Sequence, residues 1–308
     1  MISLKHVSKQ FDTITAIKNL SFAVRAGEIF GLIGPDGAGK TTTLRVIATA
    51  LNPTAGNVIV AGADTTRDAE AVKQHIGYMP QRFALYPDLT VIENLNFFAD
   101  LFGAPRAERA ALIERLLKFS RLTEFQTRLA RNLSGGMQKK LALAAALMHR
   151  PRVLLLDEPT TGVDPISRRE FWDLLTEVHL QGVTIVIATP YLDEAERCTR
   201  VGLIFRGELI ACDTPNAIRA NLGAVALEAQ SAQAKLARQV IETRTGVLSV
   251  SAHGNSLRVL VDRAERQAEI EDAWRAQSII AREVRVVKPR LEDAFVLMLA
   301  QNAPEEGK

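Results

Sequence analysis

The sequence predicts an α/β protein: a parallel sheet interrupted by a helical insertion, followed by a small α+β domain. Three observations carry this. Short apolar runs of strand length alternate with helix-length segments from Ile29 to Thr189. The stretch from Phe83 to Arg150 reads as helix almost throughout. After Gly223 the texture changes to short alternating strands separated by helices. A chain of 308 residues fits two domains at roughly 150 residues each. They are expected at residues 1–222 and 223–308, with the helical subdomain at about 83–150.

Each element has a local reason. Ile29–Ile33 is an apolar run, read as a buried strand, and a glycine-rich loop, Gly34–Gly39, follows it. Thr41–Leu51 carries apolar residues at helical spacing and is closed by Asn52-Pro53 and Gly56. Asn57–Val60 and Ile76–Met79 read as strands; Pro87 and Pro105 punctuate the helical insertion. Val153–Leu156 is a buried strand, Arg168–Leu180 a helix and Val183–Thr189 a strand. In the tail, Val225–Ala229 reads as strand and Ala232–Thr243 as helix. Val247–Ala252 and Ser256–Val261 are strands around a His253-Gly254-Asn255 turn. Ala264–Arg275 is a helix, Ala281–Val287 a strand and Leu291–Ala300 a last helix. The order βαββαβ predicts a ferredoxin-like domain. Its apolar positions Val247, Leu248, Leu257, Val259 and Val261 are expected in the core.

Composition narrows the function classes. Hydrophobic residues are 47% and charged residues 24%, ordinary for a globular chain. The net charge, 38 − 35 = +3, gives no case for nucleic-acid binding. Cys198 and Cys212 have no metal-ligand spacing, which points to a reducing compartment. Met1–Gln10 lacks the apolar core of a signal peptide. The longest apolar run, Leu141–Met148, is far short of the ~20 residues of a membrane span. A role at a membrane would therefore need a partner that holds the chain there.

Two segments carry chemistry. Gly34-Pro35-Asp36-Gly37-Ala38-Gly39-Lys40-Thr41 fits G-x-x-x-x-G-K-[ST] between a strand and a helix. Glycines let backbone N–H groups close around phosphates, and the helix N-terminus adds positive potential. Lys40 would reach the β and γ phosphates, and the Thr41 hydroxyl would ligate Mg²⁺. The strand Leu154–Leu156 ends in Asp157 and Glu158. Asp157 would hold Mg²⁺ and Glu158 would deprotonate the attacking water.

Further motifs fall in a fixed order. Leu133-Ser134-Gly135-Gly136-Met137 precedes a helix and resembles the signature motif of ATP-binding-cassette (ABC) ATPases. Gln81, in Tyr78-Met79-Pro80-Gln81, resembles the family's Q-loop, and Asp164, in Thr161-Gly162-Val163-Asp164, its D-loop. Phe11 occupies the place of the aromatic that stacks on adenine. The resemblance covers about residues 1–220. It implies a P-loop NTPase fold with a RecA-like core and helical subdomain, ATP and Mg²⁺ as cofactors, and nucleotide contacts from Gly34, Asp36, Gly37, Ala38, Gly39, Lys40, Thr41 and Thr42. It makes Glu158, Lys40 and Gln81 the catalytic set and Thr41, Gln81 and Asp157 the metal set. Ser134, Gly135 and Gly136, at a helix N-terminus, would cap the γ-phosphate held by a second cassette, with Asp164 nearby. Two chains, alike or different, would close head-to-tail around two ATP molecules. Ser134 also reads as an ordinary helix cap, and the two roles coexist.

The branch is read from wording. Pro289–Phe295, Tyr86–Val91 and Asp157–Pro165 resemble ATPase subunits of drug-type (ABC-2) exporters. This implies a separate ABC-2 membrane subunit, docked near Gln81 at the cytoplasmic face of the membrane. Two alternatives stand beside it: an ATP-dependent dimerisation module with little hydrolysis, and a non-transport ABC ATPase. Three residues depart from the family. Pro190 stands where a His usually ends the strand after the D-loop helix. Asp36 replaces Asn in the phosphate loop, a carboxylate about 8 Å from phosphate charge that costs roughly 2 kcal/mol at an effective dielectric of 20. Met137 replaces Gln in the signature, after the phosphate donors.

Overall fold

The computed structural model describes residues 1–82 and 85–302. The chain divides into two compact units, Met1–Cys212 and Asp213–Lys308. Phe83, where the helical insertion is expected to begin, Ala84 and the terminal residues 303–308 lie outside the described residues.

The first unit opens with two long strands, β1 (Ile2–Phe11) and β2 (Ile14–Val24), that the apolar pattern did not announce. The reason is irregular pairing. The β1–β2 register shifts between Leu4 and Val7, between Val7 and Lys9, and between Lys9 and Gln10. His6 and Asn19 take left-handed backbone, at φ 51° and 48°. Each shift resets the two-residue alternation that marks a strand. Next come β3 (Ile29–Ile33), α1 (Lys40–Ile47), β4 (Ala55–Val60), β5 (Ala63–Asp64), α2 (Ala69–Lys73) and β6 (Ile76–Met79). Helix α1 ends four residues before the expected Leu51, because Thr49 turns left-handed at φ 62°. Strands β2-β1-β4-β5 form one sheet.

Helices α3 (Val91–Leu101), α4 (Arg106–Phe119) and α5 (Gly135–Ala146) form the insertion around its own apolar core, which includes Leu95, Leu116 and Leu141. Thr90 and Glu93 make a reciprocal capping box at the start of α3. Fully buried Asn94 bonds Tyr86 O, Leu89 O and Thr90 O and accepts from Tyr86 N, which pins the loop leading in.

The chain then returns to the main sheet through β7 (Val153–Asp157), α6 (Pro165–Leu180), β8 (Thr184–Thr189), α7 (Leu192–Ala195), β9 (Arg200–Phe205) and β10 (Glu208–Asp213). Helix α6 starts three residues before the expected Arg168, since Asp164 caps it and Pro165 pre-sets its first turn. The sheet order is β10-β9-β3-β8-β7-β6, with β9, β3, β8, β7 and β6 paired in parallel. Strands β3, β7 and β8 are buried at every position, the pattern of a sheet covered on both faces.

The second unit contains α8 (Pro215–Ala220), β11 (Val225–Gln230), α9 (Ala234–Ile241), β12 (Val247–His253), β13 (Ser256–Val261), α10 (Arg266–Ala276), β14 (Arg282–Val287) and α11 (Leu291–Asn302). The division falls at Asp213 rather than Gly223 because α8 packs on α11. Its four strands follow the order β12-β13-β11-β14, every pair antiparallel. Trp274 and Ile241 join Leu257, Val259 and Val261 in one core. Leu248 is not in it: the register shift between Val247 and Ser249 turns it outward, 43% exposed. Among the described residues no helix is long and apolar enough to cross a membrane.

Candidate functional site

Three strands of the main sheet end at one edge, β6 beside β7, and β3 separated from them by β8. β3 runs into the phosphate loop, β6 into Gln81, and β7 into Asp157 and Glu158. Parallel strands bring the loops after them to one edge, where ligands of open α/β sheets bind.

The loop is held backbone to backbone. Gly207 N donates to Ala38 O at 3.0 Å, and Lys18 N to Gly207 O at 2.8 Å. Gly39 sits at φ 105°, and a Cβ there would stand 2.5 Å from Ala16 O of β2. Only glycine takes both that conformation and that approach. Lys40 is 4% exposed; its ammonium donates to Gly34 O at 2.8 Å and Pro35 O at 2.9 Å. It also lies 3.6 Å from Glu158 Oε1. These contacts satisfy the buried ammonium and hold it against the loop that precedes α1.

The carboxylates complete the floor. The Thr41 hydroxyl donates to Asp157 Oδ1 at 2.9 Å. Burial pushes the fully buried Asp157 carboxyl up from its ordinary range, against the Thr41 bond that lowers it. A nearby cation would reverse that shift. Two hard oxygens this close suit Mg²⁺, which accepts one or two protein oxygens and takes the rest from phosphate and water. No group of three His, Cys, Asp or Glu among the described residues could hold a metal unaided. Glu158 is 6% exposed. It takes left-handed backbone at φ 47°, while its N–H donates to Ala188 O at 2.8 Å. Such strain at a non-glycine residue persists where the surroundings over-determine it. Gln81 Nε2 donates to Glu158 Oε2 at 2.8 Å, and the Thr161 hydroxyl to the same oxygen at 3.3 Å.

Lys40, Thr41, Thr42, Gly37, Gln81 and Glu158 thus line one cavity of about 230 Å³, with Asp36, Gly39 and Ala16 at its wall. Sequence reasoning missed Ala16, which only the close pass of β2 brings in. It also missed Tyr78, whose hydroxyl stands 3.5 Å from Asp157 Oδ2, and Lys139, which bonds Gln81 O at 3.0 Å.

Ser134, Gly135, Gly136 and Asp164 do not line that cavity; they form a second cluster, in which the two glycines lie against the residues that flank Asp164, Gly162, Val163 and Ser167. Ser134 caps α5 and accepts from Met137 N at 3.3 Å. Asp164 accepts from Ile166 N and Ser167 N at 3.1 and 2.9 Å; its bonds to Ser167 hold the carboxyl below the ordinary range. A Cβ on Gly136 would fall 2.6 Å from the Ser167 side chain, so glycine lets α5 and α6 converge. Phe11 stands apart as well, 42% exposed on the β1–β2 hairpin, with Lys9 Nζ 5.0 Å from its ring centre.

Known proteins resemble this chain in sequence and fold. The family model described as ABC transporter matches residues 17–161. Over its whole length the chain is 39% identical to the Escherichia coli (strain K12) protein named "Probable multidrug ABC transporter ATP-binding protein YbhF", covering 53% of it. The chain therefore spans about half the length of that relative. It is 37% identical to the linearmycin resistance ATP-binding protein LnrL of Bacillus subtilis (strain 168), over 72% of both chains. The chain belongs to the ABC transporter family. A Nod factor export ATP-binding protein I of Burkholderia lata is 42% identical over 70% of this chain and 72% of that one. Among solved structures, a dimeric post-hydrolysis state of the ATP-binding cassette MJ0796 bound to ADP and Pi aligns with a TM-score of 0.64 at 29% identity, over 70% of this chain and 98% of that chain.

Two departures of this ABC cassette acquire a place. Asp36 is 90% exposed, with Oδ1 3.8 Å from Lys40 Nζ. Water screens it, so its repulsion of a nucleotide falls to roughly a quarter of the low-dielectric value. Asp36→Asn is expected to tighten ATP binding about twofold, measurable by titration with a fluorescent ATP analogue; a tenfold change would show that the carboxylate faces the phosphates directly. Pro190 follows β8 directly, and the segment after it is clamped by Arg168 of α6. Arg168 lies over the Tyr191 ring at 4.1 Å and donates to Asp193 at 3.0 Å. Fully buried Glu194 accepts from the Thr160 hydroxyl.

Proposed function

We propose that this chain is the ATP-hydrolysing subunit of an ABC-2 type exporter. The observation that carries the reading is the meeting of Lys40, Thr41, Asp157, Glu158 and Gln81 at one sheet edge. The phosphate loop and Lys40 bind and orient the β and γ phosphates. Thr41, Asp157 and the Gln81 side chain hold Mg²⁺, which neutralises charge on the phosphate oxygens when bound. Glu158 orients the attacking water and takes its proton. Phe11 supports the adenine.

The second cluster supports a dimer. Ser134 and the N–H groups of Gly135 and Gly136 open helix α5, an anion site outside the chain's own phosphate cavity. A second cassette, identical or not, offers the γ-phosphate that fits it, with Asp164 at the junction. Relatives named for multidrug transport, linearmycin resistance and Nod factor export support the exporter reading. The substrate path then lies in a separate membrane subunit, with this chain on the cytoplasmic face. Light scattering tests the dimer: the Glu158→Gln chain with saturating Mg-ATP should double its 33.8 kDa mass and revert on exchange into ADP. A mass that stays at one chain with ATP bound would overturn homodimer closure. Pro190 favours one second reading, a cassette that uses ATP mainly as a switch.

A further inference from the structure

We infer that Lys139 is a positioning residue for hydrolysis: its ammonium holds the Gln81 main chain so that the Gln81 amide stays on the Glu158 carboxylate. The inference rests on the reading of Glu158 as the base.

Lys139 lies on α5, five residues after Ser134. Its Nζ donates to Gln81 O at 3.0 Å. Gln81 Nε2 in turn donates to Glu158 Oε2 at 2.8 Å. One residue therefore links the helix that carries the signature to the carboxylate that would move the proton. The stem of Lys139 runs along a small apolar cavity lined by Leu85, Phe98, Phe102, Ala142 and Tyr78. Burial there pushes the ammonium down from the ordinary lysine range, while the Asp157 and Glu158 carboxylates hold it up. A half-buried cation bonded to a neutral carbonyl is costly unless something nearby rewards its charge. Here the two carboxylates offset part of that cost, and Gln81 O accepts from the ammonium.

Its neighbour Lys140 is the contrast. Lys140 is bridged to Glu170, which joins α5 to α6 within the fold. The side chains of these adjacent lysines diverge, one toward an ion pair that packs helices, the other toward the catalytic loop. Gln81 is itself exposed, and among the described residues its side chain is held by Glu158 and its carbonyl by Lys139.

The test uses the full chain with Lys139→Met, which keeps the stem and removes the donor, Lys139→Arg, which keeps the charge, and Lys139→Gln as a second neutral variant. The first readout is the ¹⁵N side-chain amide resonance of Gln81, assigned by its loss in Gln81→Ala. It should move to the position of a free amide in Lys139→Met and Lys139→Gln and stay in Lys139→Arg. The second is steady-state hydrolysis. Lys139→Met should lower kcat about tenfold, in keeping with loss of a hydrogen bond from a charged group, with KM for ATP within twofold. Lys139→Arg should restore most of kcat, and Lys139→Met in a Gln81→Ala background should add nothing. A resonance that does not move overturns the proposal, with or without turnover. So does a moved resonance with unchanged kcat. If Glu158→Gln leaves turnover intact, the base assignment falls and this role with it. If Glu158→Gln abolishes turnover while Lys139→Met changes nothing, only the role of Lys139 falls. If the parent chain turns over no ATP alone, the resonance decides.

Discussion

Replacing Glu158 with glutamine abolishes steady-state ATP hydrolysis and leaves nucleotide binding intact. A carboxylate that takes the proton of the attacking water contributes on the order of 10²–10⁴ in rate. The amide has the same shape and can remain beside Gln81 and Thr161, which both donate to Glu158 in the native chain. It cannot accept the proton. The left-handed backbone at Glu158 and its bond to Ala188 O are main-chain features that the substitution does not touch. The fold and the Lys40 cradle should therefore persist, so binding of a fluorescent ATP analogue should change by less than about threefold. Turnover within tenfold of the parent would remove Glu158 from its role. Loss of binding together with turnover would make it a structural residue.

Pro190→His accelerates hydrolysis by roughly 10²-fold, the lower range of what one preorganised donor gives to a transition state. Proline offers no side-chain donor, and the family usually presents a His at this strand end. The chain on both sides of Pro190 is held in place. β8 is buried up to Thr189, and Tyr191 N is already fixed to Thr189 Oγ1 at 3.1 Å. Arg168 clamps Tyr191 and Asp193 beyond. Proline donates no N–H, so the exchange breaks no backbone bond. The gain should appear in kcat, with KM little changed, because the donor acts on charge that develops during reaction. An unchanged or slower rate would show that this chain positions the γ-phosphate by another route. A parent chain that binds ATP, dimerises and hardly turns over would favour the switch reading.

The candidate site was legible in the sequence wherever its residues are contiguous. Gly34–Thr41, Asp157-Glu158 and Ser134–Gly136 each combine a local conformation with a side chain, and the structure places each at the element end its neighbours predict. The buried parallel strands were legible for a similar reason: an apolar run of strand length needs no partner to be recognised. The N-terminal sheet was not, because bulges at Leu4–Gln10 reset its alternation. Leu248 misled in the same way, its outward turn following from a register shift no single strand reveals.

By itself, then, the sequence determined the order of the elements, the phosphate loop and its lysine, the acidic strand end and the capped helix that opens with two glycines. These depend on bonds between residues a few positions apart. The tertiary structure alone decided which of them meet. It brought Gln81 to Glu158 across 77 residues and Lys139 to Gln81 across 58, and set Ala16 of β2 against Gly39. It also placed the signature and Asp164 outside the phosphate cavity, beside each other. Such meetings are set by sheet order and helix packing, which depend on the whole chain burying its apolar faces at once, and no local pattern encodes them.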